Sequence, residues 1–324
     1  MTRYTDSDAS LLETIGNTPI VELDATPSDV SVYAKLEMFN PGGSVKDRIG
    51  KHILERGDIS PGGTIVEPTA GNTGIGMAIA ATRLGLETVF VVPRGFSKEK
   101  ERLMAALGAE IVHISGDAGM GEAAETPHEI TDRRDDAVVP QQFATPLNVE
   151  AHYETTGWEI LDTLGEHVGT IVAGVGSSGT LMGVTRAVRE RVPDVHVVAV
   201  EPSGSTFGEL LNREREEAPY KTKGIGTHDP DVTGLLDPDA IDDIRTVSDR
   251  DAHAGVTRLA AEEGHLVGSS SGAASVAARE VAEEAAAGEL DLPAPAVVTV
   301  FPDGSERYLS KNIYGSFEAW EGKA

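Results

Sequence analysis

Short runs of β-branched and apolar residues alternate with longer segments whose apolar side chains recur at helical spacing, and this alternation restricts the chain to few architectures. The runs are 64–66, 88–92, 111–114, 170–173, 195–200 and 297–300. Each is almost continuously apolar, as in strands covered on both faces and hence in a parallel sheet. Between them, 74–84, 98–107, 180–191 and 250–263 carry the 3.6-residue periodicity of helices. The repeating unit is strand, crossover, strand, and the predicted class is α/β, doubly wound.

A second series of strands begins near residue 170, after a helical stretch over 148–164. With 324 residues, the chain exceeds the size at which single cores stop growing. We therefore expect two lobes, with a boundary near residue 145. The 53 acidic against 27 basic residues give a net charge of −26, which repels phosphate backbones and anionic lipids, so nucleic acid and membrane surfaces are not expected partners. Only 9 of the basic residues are Lys, and the acids are spread along the chain, a composition similar to a halophile proteome and also open to an ordinary acidic enzyme. The absence of Cys excludes disulfides, thiolate nucleophiles and Cys-ligated metals. The start, Met1-Thr2-Arg3-Tyr4-Thr5-Asp6, lacks a basic region followed by an apolar run, and no apolar segment approaches the roughly 18 residues of a membrane span. A soluble, cytoplasmic protein is expected.

Four segments carry candidate chemistry. In Asn40-Pro41-Gly42-Gly43-Ser44-Val45-Lys46-Asp47-Arg48, a lone Lys follows a Gly-containing turn at the start of a helix running to about Arg56. The positive end of a helix favours the neutral amine as a nucleophile, although a solvated surface Lys fits the same pattern. In Glu67-Pro68-Thr69-Ala70-Gly71-Asn72-Thr73-Gly74-Ile75-Gly76, a strand feeds a small polar turn and an apolar helix, suited to an anion or to simple capping. Gly174-Val175-Gly176-Ser177-Ser178-Gly179-Thr180 follows a strand and reads literally as G-x-G-x-x-G. Glu201 lies 22 residues beyond Gly179, in the place of a ribose-binding acid. An NAD-dependent dehydrogenase is therefore a rival reading. Gly268-Ser269-Ser270-Ser271-Gly272 matches the G-x-S-x-G elbow, but the last of the nine histidines, His265, precedes Ser270, the wrong order for that hydrolase fold. Neither a Walker-type phosphate loop nor H-E-x-x-H occurs, and the scattered histidines give no metal site.

Taken in order, these segments resemble the cysteine synthase and cystathionine β-synthase family of pyridoxal-phosphate enzymes (fold type II), over essentially the full chain. The resemblance also includes Ile15-Gly16-Asn17-Thr18-Pro19, Gln142-Phe143, Thr155-Thr156-Gly157, Lys223-Gly224-Ile225-Gly226 and Glu306-Arg307-Tyr308-Leu309-Ser310. It implies two doubly wound lobes with the cofactor in the cleft between them. Residues 1–38 and 146–324 would form the larger, phosphate-binding lobe, and 39–145 a smaller mobile lobe carrying Lys46 and the substrate carboxylate loop. Lys46 would hold the cofactor aldehyde, and Asn72 would bond the phenolic oxygen of the ring. Gly176, Ser177, Ser178, Gly179 and Thr180 would cradle the phosphate, and Ser270 would face the pyridine nitrogen, where a hydroxyl leaves a weaker electron sink than an Asp. Thr69, Ala70, Gly71, Thr73, Gln142 and Gly224 would bind substrate. Two departures stand out: Ala70 replaces the family's usual Ser, and Ser177-Ser178 stand where Thr-Gly is commoner.

The implied reaction is a two-stage β-replacement. Lys46, displaced by the amine of a serine derivative, removes the α-proton. The β-substituent leaves, a sulfide or thiol adds, and Lys46 returns the proton. Closure of the smaller lobe would exclude water. The leading expectation is a cysteine synthase joining sulfide to O-acetylserine, as a homodimer. The alternatives are cystathionine β-synthase (serine plus homocysteine), an O-phosphoserine sulfhydrylase and a catalytically silent homologue. The Gly224-to-His228 loop lacks the extra Arg expected around a second phosphate, while Lys223 and His228 keep that donor open.

Overall fold

A computed structural model of the chain describes residues 10–24, 29–115, 120–229 and 234–320. The segment Met1–Asp6 lies outside the described residues. In chain order the elements are β1 (Ile20–Glu22), β2 (Ser31–Leu36), α1 (Lys46–Arg56), β3 (Thr64–Pro68), α2 (Asn72–Leu84), β4 (Glu87–Pro93), α3 (Lys98–Ala106), β5 (Glu110–Ile114), α4 (Met120–Thr131), β6 (Ala137–Val138), α5 (Leu147–Ala151), α6 (Trp158–Leu164), β7 (Val168–Gly174), α7 (Gly179–Arg189), β8 (His196–Pro202), β9 (Asp243–Val247), α8 (Asp249–Glu263), α9 (Ser269–Ala286), β10 (Ala296–Phe301) and α10 (Phe317–Trp320). A π-helical stretch, His152–Gly157, joins α5 to α6, so the helical run read over 148–164 is continuous but underwound in its middle. No described helix is long and apolar enough to cross a membrane.

Contacts divide the chain into two compact units. One comprises Met1–Asn17 and Asn40–Gln141, the other Thr18–Phe39 and Gln142–Ala324. Among the described residues the first unit holds a four-stranded sheet in the order β5-β4-β3-β6, all parallel. The chain steps outward from β3 to β4 and β5, then returns to add β6 on the other side of β3. The carboxyl end of β3 is thus a topological switch point, where doubly wound sheets open a crevice for ligands.

The second unit holds a six-stranded sheet, β1-β2-β10-β7-β8-β9, parallel apart from the antiparallel edge strand β1. Here the chain runs outward from β7 through β8 to β9 and returns to place β10 beside β7. Its switch point lies at the carboxyl ends of β7 and β10.

Both faces of this sheet are covered, which explains the continuous apolar runs. Val172, Val198, Val200 and Val297 point into one core with Ala273, Ala277, Val281 and Ala282 of α9 and Leu259 of α8. Their neighbours Ile171, Ala173, Val197, Ala199 and Val298 point the opposite way, against Leu181, Val184 and Val188 of α7 and Ile160 of α6. Successive strand residues alternate between two cores rather than between core and water.

Candidate active site

In the first unit, Lys46 is the first residue of α1. The turn before it is closed by the Gly43 N–H donating to the Asn40 carbonyl at 2.7 Å, with Gly43 at φ +75°. The Lys46 N–H donates to Ser44 Oγ at 3.3 Å, and the buried Asp47 carboxylate accepts from the Gly42 N–H. No side chain caps α1.

The loop 69–71 leaves β3 at its switch point and delivers Asn72 and Thr73 to the first turn of α2. Thr69 and Thr73 are buried, while Ala70, Gly71 and Asn72 are partly open. The Gly71 N–H donates to Thr69 Oγ1 at 3.4 Å, and Gly71, the cap residue of α2, supplies no side chain. What brings Asn72 toward Lys46 is a backbone-to-backbone helix crossing. A Cβ on Gly50 of α1 would strike the Gly76 carbonyl at 2.6 Å, and one on Gly76 of α2 would run into the Lys46 carbonyl. Only glycines permit this approach.

In the second unit, Gly176, Ser177, Ser178, Gly179 and Thr180 leave β7 at its switch point and start α7. Ser178 sits in the left-handed region at φ +67°, a strained conformation for a residue with a Cβ. Its Oγ is buried without a hydrogen-bond partner among the described residues, and no side chain caps α7. By contrast α3 and α8 are capped by Ser97 and Ser248. A helix start with free N–H groups, an unmatched serine hydroxyl and flanking glycines fits a phosphate group.

Three segments meet this loop. The Gly226 N–H donates to the Val175 carbonyl at 2.7 Å, and a Cβ on Gly176 would lie 2.8 Å from the Gly224 carbonyl. Gly224, at φ +88°, faces Ser270, whose Oγ would be 4.0 Å from a Cβ built there. Ser270 lies in the first turn of α9 beside the buried Ser271, whose hydroxyl has no partner among the described residues. Gln142 is held through its carbonyl, which accepts from Asn148 Nδ2 at 2.8 Å. The same amide nitrogen donates to Ser177 Oγ at 3.0 Å.

Asn148 and His152 are supporting residues that the sequence did not single out. Asn148 is fully buried and ties Gln142 to the phosphate-loop candidate. His152, also fully buried, holds Thr180 Oγ1 at 3.1 Å through Nε2 and Thr156 Oγ1 at 2.9 Å through Nδ1. Their signal was a polar residue inside an apolar helical run, which alone does not separate a site from a satisfied core.

The rival G-x-G-x-x-G reading fails on its acid. Glu201 is completely buried and accepts from Arg215 Nε, from the Gly208 N–H at 3.3 Å and from Thr246 Oγ1 at 3.4 Å. Its carboxylate is spent on the protein, and none of this geometry offers it to a ribose. Among the described residues no His is hydrogen-bonded to the Ser270 hydroxyl; the segment starts a helix whose cap residue Gly268 donates its N–H to the Asp303 carbonyl at 3.1 Å. Among the described residues no cluster of His, Asp and Glu could hold a metal.

The family described as pyridoxal-phosphate dependent enzyme matches residues 11–303. An O-acetylserine dependent cystathionine β-synthase of Bacillus subtilis (strain 168) is 43% identical over 320 residues, covering 97% of this chain and 99% of that protein. A cysteine synthase of Helicobacter pylori (strain ATCC 700392 / 26695) is 40% identical over 314 residues, 94% of this chain and 98% of the other. The crystal structure of an O-acetylserine dependent cystathionine β-synthase from Helicobacter pylori superposes with a TM-score of 0.84 at 40% identity, covering 97% of this chain and 100% of that one.

Proposed function

The chain belongs to the pyridoxal-phosphate dependent enzyme family, and from that premise we propose that it is a cysteine synthase, replacing the acetate of O-acetylserine by sulfide to give L-cysteine. The observation that carries this is Lys46 at the first turn of α1, with α2 and its leading Asn72 drawn against it by the Gly50–Gly76 crossing. Pyridoxal phosphate supplies an electron sink for the pair left when an α-proton is removed.

Lys46 holds the cofactor in the resting enzyme and then moves a proton at the substrate α-carbon, first as base and later as acid. Asn72 orients the ring through its amide. The hydroxyls of Ser177, Ser178 and Thr180 and the N–H groups of Gly176 and Gly179 bind the phosphate, with Asn148 and His152 fixing two of those hydroxyls. Ser270 meets the pyridine nitrogen with a neutral hydroxyl, which disfavours transamination and suits β-replacement. Thr69, Ala70, Gly71, Thr73 and Gln142 bind the substrate carboxylate by hydrogen bonds, and Gly224 lines the substrate side; Ala70 supplies no hydroxyl.

A second reading, an O-acetylserine dependent cystathionine β-synthase, is supported by the Bacillus subtilis relative at 43% identity. In either reading the enzyme works as a cytoplasmic homodimer, as the resemblance implies, and its acidic composition suits a salt-rich cell. The deciding experiment is a matrix of steady-state rates. O-acetylserine, serine and O-phosphoserine are each paired with sulfide and with homocysteine, in low and high salt. The expected result is a yellow protein that turns over O-acetylserine and sulfide fastest. Preference for homocysteine would select the second reading, and a colourless protein that binds NADH would overturn both.

A further inference from the structure

Thr156 lies fully buried in the π-helical stretch between α5 and α6, and its hydroxyl does not follow that of its neighbour. A helical Thr ordinarily bonds the carbonyl four residues back, as Thr155 Oγ1 does to Ala151 at 2.5 Å. Thr156 Oγ1 instead meets a side chain four residues back, His152 Nδ1, at 2.9 Å, and among the described residues it has no other hydrogen-bond partner. On the far side of the same ring, Nε2 lies 3.1 Å from Thr180 Oγ1, which likewise has no second partner among the described residues. The three side chains form one hydrogen-bonded series from the π-helix, an element often found at functional sites, to the first turn of α7. Close helix packing holds both ends. A Cβ on Gly183 of α7 would lie 2.6 Å from His152 Cβ, and one on Gly157 would strike Ala187 Cβ.

The direction of this series is set by its hydrogens. Each hydroxyl donates one, and a neutral imidazole has one donor nitrogen and one acceptor. Among the described residues the only acceptor for the Thr156 hydrogen is Nδ1. A proton on Nδ1 would leave that buried O–H unmatched, which is the expensive arrangement. Nδ1 therefore accepts, and Nε2 carries the proton and donates to Thr180 Oγ1. The Thr180 hydrogen is then left for a group outside the described residues, in the loop 176–180. The opposite order would spend that hydrogen on Nε2 and turn the hydroxyl lone pairs toward an anion.

We propose that Thr156 and His152 are positioning residues that fix the Thr180 hydroxyl as a donor to the cofactor phosphate. Thr156 holds the ring in the tautomer protonated on Nε2, and that N–H occupies the Thr180 oxygen. No proton is transferred; the site gains a donor of fixed direction, which favours the phosphate dianion over the monoanion. The inference rests on the reading that places the phosphate at 176–180, and it deepens that reading by giving control of the site to Thr156, a residue outside the loop.

Two measurements on the holoenzyme test it. A neutron crystal structure of the wild type should show deuterium on His152 Nε2 and none on Nδ1, with the Thr180 deuteron directed at the phosphate. Deuterium on Nδ1, or a Thr180 deuteron directed at Nε2, would overturn the proposal without recourse to any variant. The rate of cofactor release and the phosphorus NMR titration of bound pyridoxal phosphate are then compared in wild type, Thr156→Val, His152→Phe and the double variant. Thr156→Val should speed release by roughly two- to tenfold, the worth of one neutral hydrogen bond. It should also raise the second phosphate pKa, ordinarily about 6. The double variant should be no worse than His152→Phe alone, because the two residues act in series. Thr155→Val removes a hydroxyl spent on its own helix and should change neither readout. Unchanged readouts in Thr156→Val, additive effects in the double variant, or an equal effect from Thr155→Val would each refute the proposal. A phosphate bound away from Thr180 in the neutron structure would refute the placement of the phosphate and the proposal with it. Failure of β-replacement alone would show separately, as wild-type protein that holds its cofactor as expected but does not turn over O-acetylserine with any thiol.

Discussion

A single amine has to do two jobs in the proposed reaction, holding the cofactor and moving a proton, so its removal is the sharpest test at the level of one residue. Lys46→Ala deletes a partly exposed side chain from the first turn of α1 and leaves the Gly43 turn, the Ser44 contact and the helix crossing in place. The far-UV circular dichroism should be unchanged, covalently held cofactor should disappear, and kcat should fall by on the order of 10²–10⁴-fold. Wild-type turnover of O-acetylserine and sulfide by this variant would refute the role. Lys46 and Asn72 could be read from the sequence because each sits inside a local string, Ser44-Val45-Lys46-Asp47-Arg48 and Gly71-Asn72-Thr73-Gly74. Asn148 and His152 could not, because each acts through a hydroxyl about thirty positions further along, and no short spacing encodes that. Glu201 misled for the same reason: its partner Arg215 lies beyond the span of the motif it seemed to complete.

Helix placement is decided by the crossing of α1 and α2. Gly76 meets the Lys46 carbonyl at a distance that no Cβ tolerates, and the neighbouring atom is backbone, which cannot rotate away. Gly76→Ala should therefore cost about 1–3 kcal/mol in urea unfolding, the usual range for overpacking. It should also lower kcat, because the helices can separate only by moving the first turn of α1. Unaltered stability together with unaltered kcat would show that this contact does not position Lys46. The periodicity revealed mostly strands buried on both faces, such as β7 and β8, and it revealed β5 by its apolar residues although that strand lies at a sheet edge. It passed over β2 because Lys35, inside that strand, is buried and reads as a loop residue. Its ammonium is satisfied by the Thr18 carbonyl at 2.6 Å and the Glu159 carboxylate at 2.6 Å. It passed over β9, Asp-Ile-Arg-Thr-Val, because this is an edge strand whose Arg245 is matched by Asp243 and Glu284. In both cases a tertiary ion pair hides a strand from a reading based on apolar runs.

For the molecule as a whole, the net charge of −26 makes self-repulsion the electrostatic term to weigh against its ion pairs. Salt acts on the two unequally. The Debye length shrinks from about 10 Å at 0.1 M to about 3 Å at 1 M, so repulsion between exposed carboxylates is largely removed. Exposed pairs such as Arg133–Glu129 lose little, since each contributes only about 0–1 kcal/mol to begin with. The pairs that matter more, Lys35–Glu159 and Arg279–Glu263, are shielded by burial and are screened less. Repulsion should therefore be the larger loss, and raising KCl from 0.1 to 1 M should stabilise the fold. A relief of about 2–3 kcal/mol moves the first thermal transition up by roughly 4–12 °C, given about 2–4 °C per kcal/mol for units of this size. Scanning calorimetry checks this, with sucrose as the control because it favours compact states without screening charge. A Tm that stays flat or falls with KCl, or that rises equally in sucrose alone, would mean that the acidic surface is already balanced at low salt and that its charge serves solubility rather than adaptation to a salt-rich cell.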